Sequence, residues 1–243
     1  MSPDLLILSA GCFVAAFCSG VAGFAFVLVA AAILLHVLPP STTAPVLVLG
    51  SLFVQALATP AVWRDIPWRR LGLLVAAATL GVPVGLLVLV HGPAPTIVAA
   101  VGVLLVVYAG FALLSIALRH APARFDAGAR ADAAVGFLAG ILGGIGGYVG
   151  ALPAMWTDLQ GMEKRAARAL LQPFIVAMQA ITTPGLALGG FFTAETLLMA
   201  ASAVPAMLAG TWLGLRVYKV IPAQAFRVVL LGLLLVSGLS LVI

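Results

Sequence analysis

The feature that most constrains this chain is a succession of apolar runs, each long enough to cross the roughly 30 Å hydrocarbon core of a bilayer. They cover 5–38, 44–63, 71–90, 94–118, 131–156, 169–190, 196–215 and 222–243, with only short polar or proline-rich breaks between them. Of the 243 residues, 64% are hydrophobic and 8% charged. A soluble domain carries roughly 25% charged residues because its surface faces water. This chain has too few to coat a globule, so its outer surface is expected to be lipid. The expected class is all-α, a polytopic membrane protein with no soluble domain set apart by a linker.

The net charge of +5 would suit nucleic acid only if the basic residues formed a patch. Instead they are spread thinly between apolar runs, as in positive-inside loops, and no nucleic-acid partner is expected. Cys12 and Cys18 share one apolar run without a CxxC or a Cys/His cluster. They read as small buried hydrophobes, and no metal or other cofactor is expected. No HExxH, GxSxG, His cluster or paired intramembrane carboxylate stands in the sequence, so no catalytic residue is assigned and no enzyme is expected. The first basic residue is Arg64, which argues against a cleaved signal peptide.

Two runs are anomalous. As one helix, 5–38 would be about 51 Å long, well beyond a membrane. It is interrupted by Ser19-Gly20-Val21-Ala22-Gly23, and 131–156 by Gly143-Gly144-Ile145-Gly146-Gly147 and Pro153. Glycine breaks a membrane helix, and broken backbone is tolerated only where protein or a cavity satisfies it. If every run crossed once, Lys164, Arg165, Arg168, Arg216 and Lys219 would fall outside. If 5–38 and 131–156 are re-entrant hairpins, the loops holding all the Lys and Arg face the cytoplasm and both termini lie outside. The positive-inside rule favours the hairpins, and it sets Trp63, Trp68, Trp156 and Trp212 at the cytoplasmic interface.

The chain also repeats itself. Shifted by 124 residues, Phe13 falls on Phe137, Ala15 on Ala139, Gly20 on Gly144, Gly23 on Gly147, Gln55 on Gln179, Thr59 on Thr183 and Pro60 on Pro184. Apolar matches are cheap in this composition, whereas coincident Gln, Thr and Pro at one offset are not. The expected units are therefore 1–120 and 121–243, each a hairpin plus three spanning helices within one membrane domain. Three crossings per half insert the second copy upside down, and inverted repeats with broken helices form a transporter arrangement.

The stretch Gly136-Phe137-Leu138-Ala139-Gly140-Ile141-Leu142-Gly143-Gly144-Ile145-Gly146-Gly147, followed by Pro153, resembles the glycine-rich signature of the sulfite exporter TauE/SafE family. That family is also called the toluene sulfonate uptake permease family. A weaker copy, Phe13 to Gly23, stands where such proteins carry their first signature, though Ser19, Ala22 and Phe24 occupy positions where more glycine is usual. The resemblance implies a multi-pass transporter of the bacterial inner membrane, carrying a sulfite, thiosulfate, sulfonate or carboxylate type of anion. A homodimer is compatible with it.

Residue chemistry points to the same places. A broken helix leaves N–H groups unpaired at the start of the next one, beside the positive end of its dipole. Such a place holds an anion without a charged side chain. The candidates are Ser19, Gly20 and Gly23 at the first break and Gly143, Gly144, Gly146 and Gly147 at the second. The competing reading of these glycines is close helix packing, which is the expectation for Gly81/Gly85, Gly185/Gly189 and Gly210/Gly214. Gln55 and Gln179 each precede a threonine, Thr59 or Thr183, by four residues on one helical face. In lipid they need a partner or a cavity. They are expected either to contact the ligand or to bond between helices. The same threonines precede Pro60 and Pro184, which would end or kink their helices. No Lys or Arg is expected in mid-membrane, so an anion would be held by neutral donors. His36 reads as interfacial, Asp158 and Glu195 as loop charges, and Glu163-Lys164-Arg165 as a solvated loop. A passive channel and a membrane-embedded enzyme are the rival classes.

Overall fold

A computed structural model describes residues 3–34, 37–38, 40–91, 94–118 and 128–242, among which every regular element is helical. Each apolar run becomes one helix or a broken pair. The first gives α1 (Pro3–Ala22) and α2 (Phe26–Leu34), and the second gives α3 (Pro40–Ala58) followed by a 3-10 segment, Thr59–Asp65. Then come α4 (Trp68–His91) and α5 (Ala94–Ala117). The second half repeats the order with α6 (Gly128–Gly146), α7 (Ala151–Leu159), α8 (Lys164–Leu188), α9 (Ala194–Ser202), α10 (Val204–Val220) and α11 (Ala223–Val242). Among the described residues, six helices are long and apolar enough to cross a membrane, or seven if α9 and α10, bent by 41°, count as one span. This is a multi-pass membrane protein.

The two anomalous runs break where the glycines stand. Gly23 and Gly147 take φ of +91° and +77°, the left-handed region that glycine enters without a Cβ clash. The Gly23 N–H donates to the Ser19 carbonyl at 2.7 Å and the Gly147 N–H to the Gly143 carbonyl at 2.8 Å, closing the last turn of α1 and of α6. The return arms α2 and α7 are nine residues each, whereas α1 has 20 and α6 has 19. At 1.5 Å per residue the first arms approach a full crossing of about 30 Å and the return arms cover about 14 Å. That disproportion accounts for the length of the 5–38 run.

The halves interlock through backbone contact. A Cβ added at Gly136, Gly140 or Gly144 of α6 would lie 2.6, 1.9 or 2.4 Å from the carbonyl oxygens of Leu74, Ala78 and Val82 in α4. Both helices advance four residues per contact, so they run parallel with their backbones touching. The same step joins α10 to α1, where Gly210 faces the Phe13 carbonyl at 2.4 Å and Gly214 the Phe17 carbonyl at 2.3 Å. The first helix of each half therefore lies against the other half. Where lipid is as apolar as leucine, small residues that admit close backbones supply the association. Gly81, Gly85, Gly210 and Gly214 are packing residues in this sense. Gly185 and Gly189 are not. The first meets only a Leu86 methyl at 3.7 Å and the second its own neighbour Phe191 at 2.8 Å, because α8 turns that face away from any backbone.

Polar bonds collect helix ends on one face. Arg70 at the start of α4 donates from Nε and Nη2 to Asp132 at 2.7 Å each, and also reaches Gln160. Arg165 pairs with Asp65 at 2.7 Å. Lys164 Nζ donates to the Ile221 carbonyl at 2.8 Å and the Tyr218 carbonyl at 3.3 Å, capping α10. Trp63, Trp68 and Trp212 are exposed, with Arg216 stacked 3.7 Å over the Trp212 ring.

Two expectations are corrected here. Asp158 is not a loop charge. It lies in α7, and its buried carboxylate accepts from Arg227 Nε at 2.7 Å and from the Tyr108 hydroxyl at 2.5 Å. Trp156 joins the same helix-end cluster but is buried in protein, its indole N–H donating to Asp132 at 2.7 Å. Lys164 is bound to carbonyls rather than merely solvated. Glu195 opens α9 in its first turn, and His36 lies outside the described residues.

Gly140→Val should lower stability by about 1–3 kcal/mol or prevent folding, since no side chain can yield to a carbonyl 1.9 Å away. Gly110→Ala, with nothing within 4 Å, should change stability by less than about 1 kcal/mol. Thermal unfolding of both variants in one detergent would check the contrast.

Candidate anion site at the two helix breaks

The two breaks meet in the interior between α3 and α8. A Cβ on Gly150 would sit 3.3 Å from both the Cβ and the carbonyl oxygen of Phe24, and 3.0 Å from the Ile175 side chain. Each break is held by a glutamine of its own half. Gln55 Nε2 donates to the Gly23 carbonyl at 2.8 Å, and Gln179 Nε2 to the Gly147 carbonyl at 3.2 Å. The threonines serve those glutamines. Thr59 Oγ1 donates to the Gln55 carbonyl and Thr183 Oγ1 to the Gln179 carbonyl, both at 2.7 Å. Two clamps 124 residues apart thus share donor, acceptor and geometry.

The clamps hold polarity in reserve. Gln55 Oε1 and Gln179 Oε1 are buried with no hydrogen-bond partner among the described residues, as are the hydroxyls of Ser19 and Ser51. A buried acceptor left unpaired costs about 1–3 kcal/mol. One N–H of each amide is already spent on a carbonyl, so each glutamine has one remaining N–H and an unused oxygen to offer. Beside them, the first turn of α2 carries the N–H groups of Phe26, Val27 and Leu28 without intrahelical acceptors, whereas in α7 Ala151 N–H already donates to the Tyr148 carbonyl at 3.4 Å and Pro153 has no N–H.

The remaining site candidates separate by contact. Gly20 and Gly144 are packing residues, since their Cβ positions meet Gly214 Cα at 2.9 Å and the Val82 carbonyl at 2.4 Å. Gly143 and Gly146 make room for the next turn of their own chain, the Val149 methyl at 2.5 Å and the Tyr148 ring at 2.6 Å. Gly23 and Gly147 face the breaks. A Cβ on Gly147 would stand 3.7 Å from both amide atoms of Gln179 and 3.2 Å from Val48. Proline does not act alike in the two halves. The chain tightens to a 3-10 segment from Thr59 onward, whereas α8 continues through Pro184 to Leu188. Beyond Thr59 a cleft of about 450 Å³ opens, lined by Pro60, Ala61, Trp63, Arg64, Asp65 and Arg165.

One buried cation lies beside these elements, Arg168, which the expectation of neutral donors did not include. This side chain is 1% exposed and lies in the second turn of α8. Its Nη2 donates to the Gly20 carbonyl at 2.7 Å and its Nη1 to the Val21 carbonyl at 3.3 Å, so it caps the C-terminal end of α1. With the Gln172 amide oriented to suit its neighbours, Gln172 Oε1 accepts from Arg168 Nε and Nη2 at 3.0 Å each. The guanidinium also stands 4.1 Å over the Tyr218 ring, a cation–π contact. The sequence did carry a signal for it. Arg168, Gln172, Ile175 and Gln179 form one stripe of α8, and all four are buried.

Residues 8–241 match the family model described as sulfite exporter TauE/SafE. The chain belongs to the TauE/SafE family. Membership places it among membrane transporters and agrees with the glycine-rich segments that form the two breaks. No curated protein and no solved structure matches the chain.

Gln55→Leu should leave the Gly23 carbonyl without its donor in a dry interior and cost about 1–3 kcal/mol of stability. Gln55→Glu, unable to donate when ionised, should be worse than Gln55→Leu. Denaturation midpoints in detergent would rank the two, and the opposite order would show that the clamp is not the governing contact.

Proposed function

We propose that this chain is a secondary transporter that moves a small sulfur-containing or organic anion across the bacterial inner membrane by alternating access. Its two halves, 1–120 and 121–243, act as inverted repeats. The observation that carries the reading is the pair of equivalent helix breaks, each clamped by a glutamine and each followed by the start of a new helix in the buried interior. Family membership supplies the sulfur oxyanion as the first substrate class to test.

In this mechanism an oxyanion lodges against the first turn of α2 or α7, where backbone N–H groups and the dipole meet its oxygens. The remaining amide N–H of Gln55 or Gln179 adds a side-chain donor. Rocking of the unit that holds α1 and α10 against the unit that holds α4 and α6 exposes the breaks to each side in turn. The interlocked pairs α1–α10 and α4–α6 move as units because their backbones are in contact.

Purified protein in liposomes should take up labelled sulfite or thiosulfate with a rate that saturates and accelerates when the same anion waits on the opposite side. Flux that never saturates would indicate a channel. Gln179→Leu should weaken anion binding by about 1.5–3 kcal/mol, one to two decades in Kd, because a donor to a charged ligand is lost. Wild-type affinity in that variant would leave the glutamines as structural clamps alone. For orientation, cysteines placed at residue 2 and at the C-terminus should label from outside, and Lys219→Cys only after permeabilisation. Labelling of residue 2 from inside would overturn the hairpin arrangement.

A further inference from the structure

We propose that Arg168 determines specificity, supplying the net positive charge that selects the anion by valence and draws it to the first break rather than the second. The inference rests on the transport reading and deepens it.

The argument begins with an imbalance of charge. Arg70, Arg165 and Arg227 each have a carboxylate partner, Asp132, Asp65 and Asp158. Arg168 is the most buried of these four arginines, yet what surrounds it is neutral: two backbone carbonyls, the Gln172 amide oxygen and the Tyr218 ring. Among the described residues, no carboxylate pairs with it. Dipoles stabilise a buried cation but do not cancel its charge, and an uncompensated one is among the costliest features a fold can carry. In a protein that carries anions, the missing counter-ion is the cargo.

Position supports the assignment. Arg168 Cγ lies 3.3 Å from where a Cβ of Gly23 would stand, and α2 starts at Phe26, three residues further on. The side chain therefore passes beside the first break, and its guanidinium rests at the carbonyl end of α1, on Gly20 and Val21. At the second break the frame is the same and the charge is absent. Val48 touches Gly147 much as Gln172 touches Gly23, at 3.2 Å and 3.9 Å from the respective Cβ positions. Shifted back by 124 residues, Arg168, Gln172 and Tyr218 fall on Ala44, Val48 and Ala94. Among the described residues, only the first break has a cation beside it. The carbonyls of Gly20 and Val21 could be capped by a neutral amide, so capping alone does not call for an arginine.

Two variants test the idea with thiosulfate as dianion and methanesulfonate as monoanion, by binding to purified protein. Arg168→Gln keeps an amide donor for the carbonyls and removes the charge. Gln172→Glu keeps the arginine and supplies the counter-ion beside it, a change that should not unfold the protein. Each should raise Kd by about tenfold per unit of ligand charge, so the dianion loses roughly the square of what the monoanion loses. Arg168→Lys should retain the preference for the dianion. Equal losses for the two anions, or unaltered binding in Gln172→Glu, would overturn the proposal and leave Arg168 as a helix cap. Absence of binding of either anion to the wild-type protein would instead remove the transport reading on which the proposal stands.

Discussion

A helix that stops inside an apolar layer leaves carbonyls that lipid cannot satisfy, and much of this structure is arranged around that constraint. The α1 helix stops at Gly23 and α6 at Gly147, both turned out of the helix by a positive φ. The Gly23 and Gly147 carbonyls are taken by Gln55 and Gln179. Those glutamines in turn sit on α3 and α8, which pack against each other with the breaks between them. If either glutamine lost its place, a buried carbonyl would be orphaned at a cost of about 1–3 kcal/mol. The geometry of α3 against α8 is thus tied to the survival of the breaks.

The outer pairs solve a different problem. The breaks need their long arms held firmly, and there is no water to drive apolar faces together. Close backbone approach does that work through stripes of glycine at every fourth residue of α6 and at Gly210 and Gly214 of α10. This explains why the sequence signature is longer than the break itself. From Gly136 to Gly144 it is a packing surface for α4, and only Gly147 within it shapes the break. Two physical demands share one glycine-rich segment, and composition alone does not separate them.

Much of the architecture was legible in the sequence because membranes enforce simple rules. Apolar length located the runs, glycine clusters located both breaks, and the 124-residue shift paired Gln55 with Gln179 before either had a partner. What was not legible had one cause in common: polar side chains that look solvated in one dimension but find partners in three. Asp158 meets Arg227 across 69 residues and Arg168 meets the Gly20 carbonyl across 148. A run of charges at a helix start says nothing about which of them turns inward. Arg168 is distinguished from Arg165 only by its phase, which puts it on the stripe of Gln172 and Gln179. Likewise the sequence could not say that a glutamine amide would spend a donor on its own half's backbone and keep an unused oxygen.

The asymmetry between the halves follows from the same accounting. Two copies of one frame would begin with two equal breaks, each clamped by an amide and each with a fresh helix start. Two equal breaks would be chemically alike. The second half's α8 carries Arg168 and Gln172 against the first half's α1, whereas the first half's α3 presents Ala44 and Val48 at the matching positions. The charge that distinguishes the first break is therefore supplied in trans, from the other half. Any movement of α8 relative to α1 must carry the cation toward or away from the end of α1. Contact between the halves at the breaks, through Phe24 and Gly150, makes that relation sensitive to small displacements. The symmetry supplies the scaffold, and its local violation at α8 makes the two breaks chemically distinct.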